Sequence, residues 1–214
     1  MSSLNNKTAY FADGKSIIPI LVTNEIEQAR EMCKALVDTN VKYLELTLRT
    51  PNAMSILETV CNEFPDLIIG AGTVNTVSQY KEAIDKGAKF VISPGVSRAL
   101  LDEYIKTPCL YIPGVITPSE ILMAKEYGLD HLKFFPASAF GGTHTLKSLS
   151  GPFADVKFCP TGGITMGNIR EFIDLPSVFA VGCTYLCEKS LLDNKQYDKI
   201  RENISHTKDI INNK

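Results

Sequence analysis

Leu44-Glu45-Leu46-Thr47-Leu48-Arg49 alternates apolar and polar side chains without a break. In an extended chain successive side chains point to opposite faces, so three leucines share one face and Glu45, Thr47 and Arg49 the other. The surroundings of this stretch decide what that means. From residue 17 onward short apolar runs alternate with longer segments of helical periodicity, the mark of a βα repeat. The runs are Ile17 to Val22, Lys42 to Leu48, Leu67 to Ala71, Phe90 to Ile92, Cys109 to Ile112, Leu132 to Phe135, Val156 to Cys159 and Val178 to Val181. Eight of them predict an α/β protein with one domain, a (β/α)8 TIM barrel. Helices cover the outside of such a barrel, so the leucines belong outside and the Glu/Thr/Arg face points into the lumen.

The barrel is expected to span residues 17–192, preceded by an N-terminal extension, 1–16, and followed by 193–214, a C-terminal helix packing on the barrel from Tyr197 to Ile211. Three helix starts carry a capping residue three positions before an acid or amide: Asn24 with Glu27, Thr76 with Gln79, and Thr117 with Glu120, the last with Pro118 at the first helical position. Gly87 and Gly128 read as helix stops. Between Asn24 and Asn40 the apolar positions 26, 29, 33, 36 and 37 keep helical spacing. An open doubly wound sheet shares the same alternation, but the GxGxxG that would mark it is absent after the first strand.

The 214 residues are 44% hydrophobic with a net charge of -2, and Lys and Glu are scattered rather than blocked. This is no field for nucleic acid or an acidic membrane face, and it points to a small-molecule partner. Met1 to Gly14 lacks a basic stretch followed by an apolar one, and no apolar run is long enough to cross a bilayer, so the expected location is cytoplasmic. Cysteines 33, 61, 109, 159, 183 and 187 contain no CxxC pair, and histidines 131, 144 and 206 no HxH or HExxH spacing, so neither disulfides nor a metal site are expected.

Barrel enzymes build their sites at the carboxyl ends of the strands. In His131-Leu132-Lys133-Phe134-Phe135-Pro136 a lysine stands inside an apolar run near such an end. Lys133 shares its face with His131 and Phe135, Leu132 and Phe134 take the other, and both faces are expected to be largely buried. Burial disfavours an ammonium and supplies the neutral amine that attacks a carbonyl, which is Schiff-base chemistry. The bland alternative is a lysine whose stem packs while its head reaches water. Lys42, Lys89 and Lys157 stand at the beginnings of their strands, the wrong end for catalysis. His144 and Arg170 fall in loop or helical segments and read as surface residues.

A buried Glu45 and Arg49 have two readings: a structural ion pair, or a general base beside Lys133 and a guanidinium that grips a substrate carboxylate. Gly70-Ala71-Gly72-Thr73 ends the third strand with small residues and one hydroxyl. Ser93-Pro94-Gly95 and Pro113-Gly114 read as turns ending the fourth and fifth strands, and Pro94 is a substrate-binding candidate by position. Thr161-Gly162-Gly163 and Gly182-Cys183-Thr184 occupy the two loops that form the phosphate site in many barrels.

Taken together, Leu44 to Thr50, Gly70-Ala71-Gly72-Thr73-Val74, Ile92-Ser93-Pro94-Gly95, Lys133-Phe134-Phe135-Pro136-Ala137 and Phe158-Cys159-Pro160-Thr161-Gly162-Gly163-Ile164 strongly resemble the class I 2-keto-3-deoxy-6-phosphogluconate (KDPG) and 4-hydroxy-2-oxoglutarate (KHG) aldolases. The likeness runs from about Ile17 to Leu192. It implies a Schiff base at Lys133, a proton-shuttling carboxylate at Glu45, contacts of Arg49 and Thr73 with the pyruvate carboxylate, and Phe135 packed beside the keto acid. It also implies a phosphate site at Thr161, Gly162, Gly163 and Thr184. Here Thr184 stands where the family has a serine, and Cys183 where it often has a glycine. The resemblance implies no cofactor, a homotrimer, and sugar-acid catabolism of the Entner-Doudoroff type, with a phosphorylated keto sugar acid split to pyruvate and glyceraldehyde 3-phosphate.

Aldolases for the galactonate epimer typically carry Pro-Leu-Asn-Ser-Pro where this chain has Thr47-Leu48-Arg49-Thr50-Pro51, and Arg49 favours the gluconate reading. Two other classes stay open: a metal-dependent pyruvate lyase or oxaloacetate decarboxylase, and a barrel that binds a phosphorylated sugar acid without turning it over.

Overall fold

The computed structural model describes residues 15–107 and 109–212. All but the last two residues of the expected N-terminal extension lie outside that range, and β1 opens at Ser16, within the extension's predicted bounds. The strands are β1 (Ser16–Leu21), β2 (Tyr43–Thr47), β3 (Ile68–Gly72), β4 (Phe90–Ser93), β5 (Leu110–Val115), β6 (His131–Phe134), β7 (Lys157–Pro160) and β8 (Ala180–Cys183). All pair in parallel in the order β7-β6-β5-β4-β3-β2-β1-β8, and the bridges Phe158↔Val178 and Thr161↔Gly182 bring β7 against β8. The result is a (β/α)8 barrel.

The helices are α1 (Ile26–Asp38), α2 (Ala53–Glu63), α3 (Val77–Asp85), α4 (Arg98–Lys106), α5 (Pro118–Glu126), α6 (Gly142–Ser150), α7 (Ile169–Ile173), α8 (Lys189–Asp193) and α9 (Tyr197–Asn212). Helix α9 packs against α1, α7 and α8. Thr76 caps α3 by accepting from the Gln79 amide, and Thr117 with Glu120 closes a full capping box on α5 with Pro118 behind it. Asn24 does not cap α1. Its side-chain oxygen accepts from the Asn52 amide instead and ties the loops after β1 and β2 together, while Glu25 stands at the cap without a side-chain bond. Val37 also departs from the pattern: α1 buries Ala29, Met32, Cys33, Ala35 and Leu36, and turns Val37 to solvent.

Two apolar layers divide the strand side chains. Outward-facing residues such as Leu44, Leu46, Leu132, Phe134 and Val181 join the helices in the main core. Inward, Ile18, Tyr43, Phe90, Ile92, Leu110, Ile112, Cys159, Phe179 and Ala180 fill the lower lumen, as expected for a barrel whose interior is packed rather than porous.

Pro113-Gly114 is not a turn. β5 continues through both to Val115, with Pro113 paired to Ser93 and Gly114 to Lys133. A side chain at 114 would lie 2.2 Å from the Pro94 carbonyl oxygen, so the absence of a Cβ lets the loop after β4 close over β5.

Candidate active site

Lys133 and Glu45 reach each other inside the upper lumen from β6 and β2. The Lys133 Nζ lies 3.2 Å from Glu45 Oε1 and 3.4 Å from Oε2, and the two residues are 5% and 2% exposed. The lysine head therefore does not reach water, and the Glu45 carboxylate pairs with Lys133 rather than with Arg49. Glycines make the room: a Cβ at Gly72 would stand 2.2 Å from Glu45 Oε1, and one at Gly182 would stand 2.3 Å from Thr161 Oγ1. Gly72→Ala is accordingly expected to push the carboxylate off the lysine and lower kcat by about 10²-fold or more while the protein stays folded. Steady-state kinetics beside a thermal melt check this, and an unchanged kcat refutes it.

Phe135 follows the end of β6, and its ring centroid lies 5.2 Å from Lys133 Nζ, so it still closes one side of the amine's pocket. Cys159 is the cross-strand partner of Lys133 on β7. Burial pushes its thiol up to about 12, which leaves the lysine nitrogen without a competing thiolate. Thr47, on the same face as Glu45, donates to the Leu21 carbonyl at 3.1 Å and has a structural role. His131, lower on β6, lays its ring against Phe179 with centroids 4.8 Å apart.

Arg49 lies just beyond the end of β2, exposed, where its Nε donates to Thr73 Oγ1 at 3.1 Å. Thr73 holds a φ of +59°, a left-handed conformation unfavourable for a β-branched residue and commonest where function requires it. With Nε held, the two terminal nitrogens of Arg49 remain for a carboxylate. Thr73→Val is expected to raise KM for the keto acid about fivefold to tenfold with a smaller change in kcat; the reverse pattern counts against this role.

Pro94 sits in the loop after β4. Ser93 Oγ holds that loop by donating to the Gly95 carbonyl at 2.6 Å and bonding Tyr111 Oη at 2.8 Å. The loops after β7 and β8 lie side by side through the Thr161↔Gly182 bridge. Gly162 and Gly163 both hold left-handed φ, +96° and +74°, and Thr184 is exposed just ahead of a 3-10 turn, Tyr185–Cys187. Thr161 departs from a simple loop ligand: its residue is 3% exposed and its hydroxyl donates inward to the Cys159 carbonyl at 3.4 Å. His144 lies exposed on α6, and Arg170, on α7, donates to Asp174 and to the Ile210 carbonyl. Among the described residues no group of three or more His, Cys, Asp or Glu side chains is clustered as a metal site.

The model of the family described as KDPG and KHG aldolase matches residues 11–203. This chain belongs to that family. It is 43% identical over 184 residues to a 2-dehydro-3-deoxy-phosphogluconate aldolase of Dickeya dadantii and 41% identical to a KHG/KDPG aldolase of Escherichia coli K12, with 86% of each chain covered in both cases. Its fold superposes with a TM-score of 0.90 and 42% identity on the KDPG aldolase of Legionella pneumophila, solved with pyruvate captured at low pH as a covalent carbinolamine intermediate, covering 94% of this chain and 97% of that one. The protein is thus an aldolase, a carbon-carbon lyase. Ser138 and Asn168 both donate side-chain hydrogen bonds to the Gly163 carbonyl in the loop after β7, and Ser138 does not stand out in the sequence because its partner lies on another loop.

Proposed function

We propose that this aldolase splits 2-dehydro-3-deoxy-6-phosphogluconate into pyruvate and glyceraldehyde 3-phosphate through an imine on Lys133, and that it also acts on 4-hydroxy-2-oxoglutarate. The observation that carries this is the buried Lys133 nitrogen within 3.4 Å of both Glu45 oxygens inside the upper lumen. The captured carbinolamine of the Legionella relative supports the same covalent route.

Lys133 hands a proton to Glu45 and its freed amine attacks the C2 ketone; Glu45 then delivers that proton to the carbinolamine hydroxyl, which leaves as water and gives a protonated imine. Glu45, directly or through water, takes the C4 hydroxyl proton as the C3–C4 bond breaks, and the bond's electrons flow into the imine to give an enamine. Glyceraldehyde 3-phosphate leaves, a proton returns to C3 by way of Glu45, and water releases pyruvate. Arg49 and Thr73 hold the carboxylate of the keto acid, Pro94 and Phe135 flank its carbon chain, and the loops bearing Thr161, Gly162, Gly163 and Thr184 take the phosphate.

Incubation with pyruvate and borohydride, followed by peptide mapping, is expected to place a stable adduct on Lys133. Cleavage without any such adduct, lost on chelation, would instead favour the metal-dependent lyase. Rates on the two sugar-acid epimers side by side separate the gluconate from the galactonate reading, and a clear preference for the latter overturns our choice.

A homotrimer in the cytoplasm completes the proposal. The assembly is supported by the family resemblance, and light scattering at three times the 23.6 kDa chain mass checks it. Among the described residues no helix is long and apolar enough to cross a membrane.

A further inference from the structure

The loop after β7 is pinned from behind through its carbonyl groups. The Thr161 carbonyl accepts from the Ala137 amide at 2.8 Å and the Gly162 carbonyl from the Ser138 amide at 3.0 Å. The Gly163 carbonyl accepts twice, from Ser138 Oγ at 2.9 Å and from Asn168 Nδ2 at 3.0 Å. Asn168 is itself anchored, its Oδ1 accepting from the Thr165 amide at 2.8 Å. Among the described residues no hydrogen bond uses the N–H groups of Gly162 or Gly163, so the peptide oxygens are fixed on one side and the donors remain for another partner. Each peptide plane joins the oxygen of one residue to the N–H of the next, so the held Thr161 and Gly162 oxygens fix the Gly162 and Gly163 amides, and the held Gly163 oxygen fixes the Ile164 amide. Ser138 also explains the second glycine: a Cβ at 163 would lie 2.5 Å from Ser138 Cβ and 2.6 Å from its Oγ.

We infer that Ser138 and Asn168 are positioning residues for phosphate recognition: by tying the Gly163 carbonyl they fix the peptide plane that carries the Ile164 amide and anchor the C-terminal side of the loop whose Gly162 and Gly163 amides serve the phosphate of the substrate. This rests on the phosphate site assigned above. Ser138 contributes through two bonds of different kinds, one from its amide and one from its hydroxyl, and only the second is removable by mutation. It lies in the 3-10 turn Ser138–Phe140 that follows Lys133 by five residues on the same βα connection. The segment that carries the reactive lysine therefore also sets the loop that grips the far end of the substrate.

The test compares a phosphorylated substrate with one that lacks phosphate. In Ser138→Ala, KM for the phosphorylated keto sugar acid is expected to rise about fivefold, inorganic phosphate to weaken as a competitive inhibitor by a similar factor, and KM and kcat for 4-hydroxy-2-oxoglutarate to stay within about twofold. Asn168→Ala is expected to behave likewise, and the double variant to lose about 20-fold or more because the shared carbonyl is then untied. Equal losses on both substrates would make the role merely structural and overturn the inference. So would wild-type phosphate affinity in the double variant. A wild-type enzyme that is indifferent to inorganic phosphate and does not favour the phosphorylated substrate would instead remove the phosphate site itself.

Discussion

Lys133→Met is expected to lower cleavage by at least about four orders of magnitude and to abolish borohydride trapping of pyruvate. Methionine is close in length and suits an apolar lumen, so the loss would report on the nitrogen rather than on a cavity. The same substitution leaves the Glu45 carboxylate buried without its partner, and removing one member of a buried pair typically costs about 3 to 5 kcal/mol. A lower Tm is therefore expected alongside the lost activity. Adding Glu45→Gln to Lys133→Met is expected to recover most of the stability and none of the activity. This combination separates chemistry from folding. Cleavage surviving in Lys133→Met at more than about a hundredth of the wild-type rate would end the covalent mechanism.

Glu45→Gln alone is the second large effect, expected to reduce kcat by about 10² to 10⁴, the range for removing a positioned acid–base group. Glutamine is isosteric, and its amide oxygen can still accept from Lys133 at the distances the carboxylate now holds. Borohydride should still trap pyruvate on Lys133 in this variant, more slowly, because the nucleophile remains while the proton carrier is gone. Exchange of the pyruvate methyl protons with solvent, followed by NMR, isolates the step assigned to Glu45 and should slow by a factor similar to that for cleavage. Rapid exchange with slow cleavage would confine Glu45 to the C4 hydroxyl and contradict its part in returning the proton to C3.

What could be read in the sequence follows from cost. A charged residue in an apolar strand is expensive unless engaged, so Glu45 and Lys133 stand out in their runs without any structure, and the βα alternation places both strands in one barrel. Cheap or ambiguous residue types carry no such mark. Asn24 has a good capping residue's chemistry, yet its oxygen serves the Asn52 amide across a loop. Pro113-Gly114 has a turn's composition, yet it continues β5 because the neighbouring loop needs the space of the missing Cβ. Arg49 shares the alternating pattern with Glu45, yet β2 ends at Thr47, and the guanidinium meets Thr73 on the next strand's end rather than the carboxylate. Ser138 bonds a carbonyl 25 positions away, a distance at which local pattern is silent.

The apolar plug formed by Ile18, Tyr43, Phe90, Ile92, Leu110, Ile112 and Phe179 turns the barrel into a shaft with a floor. A shaft of that kind has one doorway for every species that enters or leaves. On the mechanism proposed above, the keto acid is tethered toward that floor and the phosphorylated fragment lies nearer the opening, so the aldehyde is expected to depart before pyruvate. Sequential departure, with pyruvate last, then follows from the shape of the barrel together with that tether.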